Sequence, residues 1–305
     1  ATLAMVDRID DPRIVARLWH AVAFFSVGKQ RVDAGESALE AARRMGDPQR
    51  VAACLGILAE GYRMTGRLPE AEEAIDRALA LYRDLHKTRT KAYAVALDSR
   101  ALLLHATGRI DEARQLYGEA MALYQSLGDE ERAMTPRMYL ADLEFRAGNV
   151  ESALAIATEA IGFFQQRRNV MREANARANV AAYHLALGQF DQARRHARAS
   201  LVLCRHLQSP QMTAVAMEHL AHVAVAQGDA RHAARLSGYI DAWYAREALE
   251  REWTEQQCYE RLRARLREAL SKDDLDRYRA EGAGFSQEDA FEEALAAPIP
   301  QSRSA

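Results

Sequence analysis

Gly66-Arg67-Leu68-Pro69-Glu70-Ala71 is one of five copies of a short pattern, Gly-x-apolar-x-x-Ala, whose recurrence decides the fold. The others are Gly108-Arg109-Ile110-Asp111-Glu112-Ala113, Gly148-Asn149-Val150-Glu151-Ser152-Ala153, Gly188-Gln189-Phe190-Asp191-Gln192-Ala193 and Gly228-Asp229-Ala230-Arg231-His232-Ala233. Successive glycines stand 42, 40, 40 and 40 residues apart. A fixed period of this length is the signature of stacked structural repeats.

Working outward from each glycine, about sixteen residues before it carry apolar side chains at helical spacing, as in Leu55, Leu58, Ala59 and Tyr62. A second such stretch follows, as in Ala71, Ile75, Ala78, Leu79 and Tyr82. Each repeat is therefore a pair of helices, A then B. The glycine ends helix A because it accepts a left-handed backbone, and the alanine five residues on lets helix B pack closely. A second set of breakers closes each pair: Met45-Gly46-Asp47-Pro48, His86-Lys87-Thr88, Leu127-Gly128-Asp129, Arg168-Asn169 and Ser209-Pro210. A degenerate first pair runs from Pro12, with Val15, Leu18 and Trp19 inward in helix A and Ala38 and Leu39 inward in helix B.

These residues resemble the tetratricopeptide repeat (TPR), whose helix A carries large-x-x-Leu-Gly/Ala-x-x-Tyr and whose helix B carries Ala-x-x-x-Phe/Tyr-x-x-Ala. The match is closest at Leu55, Leu58, Ala59, Tyr62, Ala71, Ile75 and Ala78, and again at Ala101, Ala113, Tyr117 and Ala120. The period of about 40 exceeds the usual 34. It is similar to the longer-helix variant of large bacterial regulators. The expected fold is all-α: a right-handed superhelix of about six TPR-like pairs plus a C-terminal helical cap. In segments, residues 1–47 hold the degenerate pair, 48–235 the regular repeats, 236–296 the cap and 297–305 a disordered tail.

Composition agrees with helices and narrows the partners. The 305 residues hold 16 Gly, seven Pro, and 41 Lys+Arg against 43 Asp+Glu, a near-neutral balance that removes any global electrostatic reason for nucleic-acid binding. Cys54, Cys204 and Cys258 are odd in number and far apart, so neither a CxxC pair nor a disulfide framework can be built locally, and a reducing cytoplasm fits best. The most apolar run, Leu18 to Val27, is about ten residues long where a membrane span needs roughly 20. It follows Asp7, Asp10 and Asp11, so it does not read as a signal peptide. A first residue of Ala1 rather than Met suggests a segment excised from something longer.

In a stacked array the first helices line the concave wall, where binding normally occurs. The wall slots hold Glu60 and Arg63, Asp98 and His105, Asp142 and Arg146, Asn175, and Glu218 and His222. The fifth pair is nearly apolar there, through Ala178, Ala182 and Leu185. A lining of mixed charge suits a peptide or protein segment better than a polyanion, although simple solvation accounts equally well for any one of these side chains. Arg137 and Arg177 share a slot in consecutive pairs and are either a grip for a carboxylate or phosphate or partners of neighbouring acids. Chaperone-tail clamps of the TPR family place Lys and Asn where this chain has Gly56 and Glu60, which does not support that use.

Beyond Leu236 the repeat rule breaks. Leu236-Ser237-Gly238 leads into a helix through Trp243, Tyr244 and Leu249, then a stripe of Tyr259, Leu262, Leu266 and Leu270. Glu281-Gly282 and Phe285-Ser286 follow, with Asp289 placed to close a capping box at Ser286. This ending is similar to the C-terminus of large bacterial ATP-binding (LuxR/SARP-like, STAND-type) transcriptional regulators. In that family a DNA-binding domain precedes a nucleotide-binding switch domain and a TPR sensor or scaffold. The resemblance implies the sensor arm alone, with the nucleotide- and DNA-binding domains of the parent as partners, no direct nucleic-acid contact and no membrane.

No motif for chemistry accompanies the scaffold. Gly28-Lys29 is the one Gly-Lys pair, but Ala23 holds the place of the leading Gly and Gln30 stands where a hydroxyl is needed, which excludes a phosphate loop. Glu218-His219-Leu220-Ala221-His222 is the sharpest metal candidate, yet it is not HExxH and no third ligand has a reason to converge. The cysteines read as small buried hydrophobes. Arg261, Arg263, Arg265 and Arg267 fan around a helix between Glu260 and Glu268, which reads as a solvated face. The expected function is a protein- or peptide-binding regulatory module of a bacterial signalling ATPase or transcriptional regulator, without cofactor, metal or catalytic residue; a free-standing adaptor is the alternative.

Overall fold

The computed structural model describes residues 9 and 11–296. The expected tail at 297–305 lies outside them. Among the described residues there are fifteen helices and no strand: α1 Pro12–Phe25, α2 Gly28–Arg44, α3 Pro48–Met64, α4 Leu68–Asp84, α5 Lys91–Ala106, α6 Ile110–Ser126, α7 Glu130–Arg146, α8 Val150–Gln166, α9 Val170–Ala186, α10 Phe190–Leu207, α11 Pro210–Ala226, α12 Ala230–Glu247, α13 Trp253–Ala269, α14 Lys272–Ala283 and α15 Gln287–Leu295. Odd helices up to α11 are A helices and even ones up to α12 are B helices, so the six expected pairs are present.

The five A-to-B hinges that carry the glycine pattern close in the same way. The glycine takes a positive φ, from +70° at Gly188 to +94° at Gly228, and the next amide reaches back five residues. Arg67 N donates to Tyr62 O at 2.8 Å, Arg109 N to Leu104 O at 2.8 Å and Gln189 N to His184 O at 2.9 Å, the Schellman pattern. The alanine five residues after the glycine is fully buried in all five copies, Ala71, Ala113, Ala153, Ala193 and Ala233. Helix B continues this seam at every third or fourth residue, as Ala71, Ile75, Ala78 and Tyr82 do in α4 and Ala113, Tyr117, Ala120 and Tyr124 do in α6.

The B-to-A hinges are left-handed too, with positive φ at Gly46, His86, Gly128, Arg168 and Gln208. Their spacing reproduces the repeat, yet three of the five are not glycine. The same five-residue reach holds there, with Lys87 N on Tyr82 O at 2.8 Å and Asn169 N on Phe164 O at 3.0 Å.

The chain divides into two compact units. The first runs to Tyr139 and includes Glu247–Glu250; the second comprises Leu140–Arg246 and the chain from Arg251 onward. The first unit packs Leu55, Leu58, Ile75, Leu79, Tyr82, Leu97 and Tyr124 among small residues such as Ala52, Ala78 and Ala94. In α1 the expected inward set needs correcting. Ala16 and Ala23 are the buried residues, Trp19 is half-buried, and Leu18 is exposed, because two residues on from Ala16 is about 200° around a helix.

The second unit buries Leu143, Phe164, Tyr183, Leu201, Met217, Leu236, Ile240 and Leu262. Leu236-Ser237-Gly238 lies inside a full-length helix B, α12, which ends where Ala248 turns to a φ of +50°. Gly238 and Gly282 let α12 and α14 cross with their backbones touching. A Cβ on Gly238 would lie 2.0 Å from the Arg279 carbonyl oxygen, and one on Gly282 1.8 Å from that of Arg235. The capping box at Ser286 and Asp289 forms as expected, and α15 buries Ala290, Phe291 and Ala294.

Candidate functional site: the helix A wall

In the first unit the wall begins with an ion pair. Arg63 donates from Nε and Nη2 to both Glu60 oxygens, each at 2.9 Å. Burial pushes the Glu60 carboxyl up, but Arg63 and Arg31 outweigh it and hold the acid below the usual range. Arg31 in turn is fixed by the Ser26 carbonyl at 2.8 Å and that of Phe24 at 3.2 Å. Asp98 faces the Tyr124 hydroxyl, His105 is buried, and Arg137 is half-buried in α7.

In the second unit the wall residues are covered by the chain itself. The buried Asp142 accepts the Tyr183 hydroxyl and, at 3.5 Å, the Asn179 amide. Burial pushes its carboxyl up to about 7, with Glu252 adding to the rise and the Tyr183 bond opposing it. The Arg146 guanidinium lies 5.1 Å from the Trp253 ring centre, and Phe145 meets the same ring edge to face at 6.0 Å. Glu218 accepts Arg251 Nε at 3.0 Å, and Arg251 also reaches Asp241 at 2.9 Å while sitting over the Tyr244 and Tyr259 rings. Burial lifts Glu218 to about 7 against the pull of Arg251. His222 is buried and faces Arg265 and Arg261; desolvation first and those charges second push it down to about 4.

Two wall candidates stand apart from this group. Asn175 is exposed, and Arg177 pairs with Glu173 one turn away at 2.8 Å, the neighbouring-acid arrangement. His184 is held by Gln189 at 2.6 Å. Among the described residues no three His, Cys, Asp or Glu side chains gather to hold a metal ion. Cys54, Cys204 and Cys258 are buried free thiols, pushed up by burial, the first two to about 11.

Sequence reasoning missed what lies over the second unit's wall. Helix α13 seats Cys258, Leu262 and Leu266, an i, i+4, i+8 stripe, against α11 and α9, with Arg251 and Trp253 at its start. The apolar stripe was visible in the sequence one residue out of phase at its first member, Tyr259. Its seat was not visible.

A family profile described as the MalT-like TPR region matches residues 10–189. The chain belongs to the MalT-like TPR region family. Among solved structures, this TPR region is similar to BtubC (BKLC) from P. vanneervenii, at 21% identity and a TM-score of 0.52, covering 85% of this chain and 93% of that one. It is also similar to a Signal Transduction ATPase with Numerous Domains (STAND) protein with a tetratricopeptide repeat sensor from Pyrococcus horikoshii, at 13% identity and a TM-score of 0.56. That match covers 92% of this chain and 44% of the other. Both likenesses establish the fold, an all-α repeat of TPR-type pairs. No curated protein sequence matches the chain. No helix among the described residues is long and apolar enough to cross a membrane.

Proposed function

We propose that the TPR region is a protein- or peptide-binding regulatory module, a sensor or scaffold of a bacterial signalling ATPase or transcriptional regulator, and that it binds through the helix A wall. The observation that carries this reading is the family match over residues 10–189, supported by a STAND neighbour whose TPR portion is a sensor. Glu60, Arg63, Asp98, His105 and Arg137 are the proposed contacts in the first unit, and Asp142, Arg146, Asn175, Arg177, Glu218 and His222 in the second. The partner is a protein or peptide segment, with nucleotide- and DNA-binding domains upstream in the parent. The role requires no cofactor and no catalytic group, and its setting is the cytoplasm. Binding shifts the population of conformations that dock on the switch domain.

The test is photo-crosslinking in cells from a reactive residue placed at Glu60 or Asp98 on helix A, compared with Arg77 or Glu119 on helix B. Partner crosslinks should concentrate at the helix A positions. Equal or greater capture from helix B would overturn the wall as the binding face. A free-standing adaptor is the second reading, favoured by the overlap with nearly the whole BtubC chain.

A further inference from the structure

α3 carries the Glu60–Arg63 pair in its last turn, and its first turn opens on a cavity. The cavity, about 520 Å³, falls in the size range of small-molecule sites. It is lined by Arg17 and His20 of α1, Asp47 and Arg50 at the start of α3, and Tyr82 near the end of α4. Arg50 precedes Glu60 by about 15 Å along the helix axis, so the cavity lies away from the Glu60–Arg63 pair.

Its cations are largely unspent. Arg17 makes no hydrogen bond or ion pair among the described residues. Arg50 reaches Asp47 Oδ2 with Nε at 3.5 Å, a long contact, while the other Asp47 oxygen caps α3 by accepting Arg50 N at 3.0 Å. His20 has Nδ1 4.0 Å from Cys54 Sγ. Burial first and Arg50 second push its imidazole down, so at neutral pH the ring is uncharged and keeps one N–H to donate.

Tyr82 shows what is missing. It is 3% exposed, yet its hydroxyl has no hydrogen-bond partner among the described residues, a costly state for a buried polar group. At the 42-residue interval that separates Gly66 from Gly108, Tyr124 holds the same place in the next repeat. Its hydroxyl faces the Asp98 carboxylate, with Arg132 beside it. The residue 42 before Asp98 is Gly56, so the earlier pair has the tyrosine without the acid. A Cβ at Gly56 would meet nothing within 4 Å, which leaves the place of that acid open.

We propose that this cavity binds a small organic oxyanion, a carboxylate or phosphate ester of metabolite size, whose charged head pairs with Arg17 and Arg50 and accepts the Tyr82 hydroxyl. The ligand brings from solution the acceptor that Asp98 builds into the next repeat. Guanidinium forks match carboxylate and phosphate oxygens alike, and two arginines against one capping acid set the sign of the ligand. The volume beyond the head holds the ligand's body. Because the lining draws on α1, α3 and α4, occupancy ties the first helix pair to the second. This goes beyond the protein-binding role of the wall and gives the first unit a small-molecule input.

Calorimetric titration of the full chain with succinate, glucose 6-phosphate, inorganic phosphate and glucose is the test. At least one of the two organic anions should bind roughly ten-fold more tightly than inorganic phosphate, and glucose should not bind. Succinate ahead identifies a carboxylate head; glucose 6-phosphate ahead identifies a phosphate ester. Arg17→Gln should weaken that binding roughly ten-fold and Tyr82→Phe roughly five-fold. Gly56→Asp, which rebuilds the arrangement at Asp98, should abolish binding while holding or raising the thermal midpoint. Binding by none of the three anions at millimolar concentration, or binding that Arg17→Gln and Gly56→Asp leave unchanged, overturns the site. Inorganic phosphate binding as tightly as both organic anions means an adventitious ion only and overturns the ligand. Should Gly56→Asp fail to fold, Arg17→Gln, at an exposed position, decides by itself. The titration and the helix A crosslinking probe different residues, so either can fail without the other.

Discussion

Asp142 and His219 pull the stability of the second unit in opposite directions as pH changes. Asp142 titrates near 7 in the folded chain, against an ordinary value of 3.8, because burial disfavours its charge. Between about pH 4 and 7 the folded state thus binds more protons than the unfolded one, and stability falls as pH rises, by ~2–4 kcal/mol in all. Asp142→Asn keeps an acceptor for Tyr183 and should remove this slope; denaturant unfolding at pH 5 and pH 8 checks it. His219 is pushed down by burial, and secondarily by His222, to about 3. There the unfolded state holds the extra proton, so its share of stability is complete above pH 6.5 and lost as pH falls toward 3. His219→Met should raise stability by ~1 kcal/mol at pH 8, where only the unpaired nitrogens are relieved, and by more at pH 5. A gain over the parent chain no larger at pH 5 than at pH 8 would contradict this assignment.

At the scale of helices and hinges, the two kinds of turn differ in how well residue type suits conformation. His86, Arg168 and Gln208 hold φ values of 50–55°, the left-handed region that costs an L-residue with a Cβ roughly 1 kcal/mol. Each changed to Gly should stabilise its hinge by ~0.5 kcal/mol, the relief being partly offset by the freer unfolded chain. The thermal midpoint of each single variant should rise by a degree or more; a fall would show that the side chain holds the turn. Gly238 and Gly282 behave differently. Either glycine changed to Ala drives a Cβ into a backbone carbonyl, which has no flexible end to move aside. Separation of α12 from α14 should cost more than 2 kcal/mol, within the range of severe overpacking. Denaturant midpoints of Gly238→Ala and Gly282→Ala test it against Gly284→Ala, whose Cβ would meet its nearest neighbour at 3.4 Å.

Across the whole molecule, stability is summed from repeats and the interfaces between neighbours. Ala71→Leu should overfill the α3–α4 seam at a cost of ~1–3 kcal/mol and lower amide protection in α2 to α5, leaving helices more than two pairs away in sequence unchanged by hydrogen exchange. The repeat was legible because its signals are local. Gly66 must turn left-handed and Ala71 must pack without a side chain in the way, so five copies survive as a pattern. The second set of hinges was legible as breakers at the same period, although His86, Arg168 and Gln208 adopt the left-handed turn without a glycine to announce it. In α1, the short apolar run gave no phase, and the inward face passed to Ala16 and Ala23 instead of Leu18. Wall slots followed from the helical period, but what occupies them did not. Arg251 is 33 residues from Glu218 and Asp142 is 41 from Tyr183, and nothing in local spacing joins such pairs.

The sequence alone determined the helix pairs, their hinges, the seam of alanines and the charge along the wall, because each depends on residues within one turn or one repeat. Tertiary structure decided that α13 fills the second unit's wall, that Gly238 and Gly282 meet backbone to backbone, and that Asp142, Glu218 and His222 are buried. Burial and desolvation are set by which distant segment lies on top, and that choice is a balance of packing over the whole unit rather than a property of any stretch of chain.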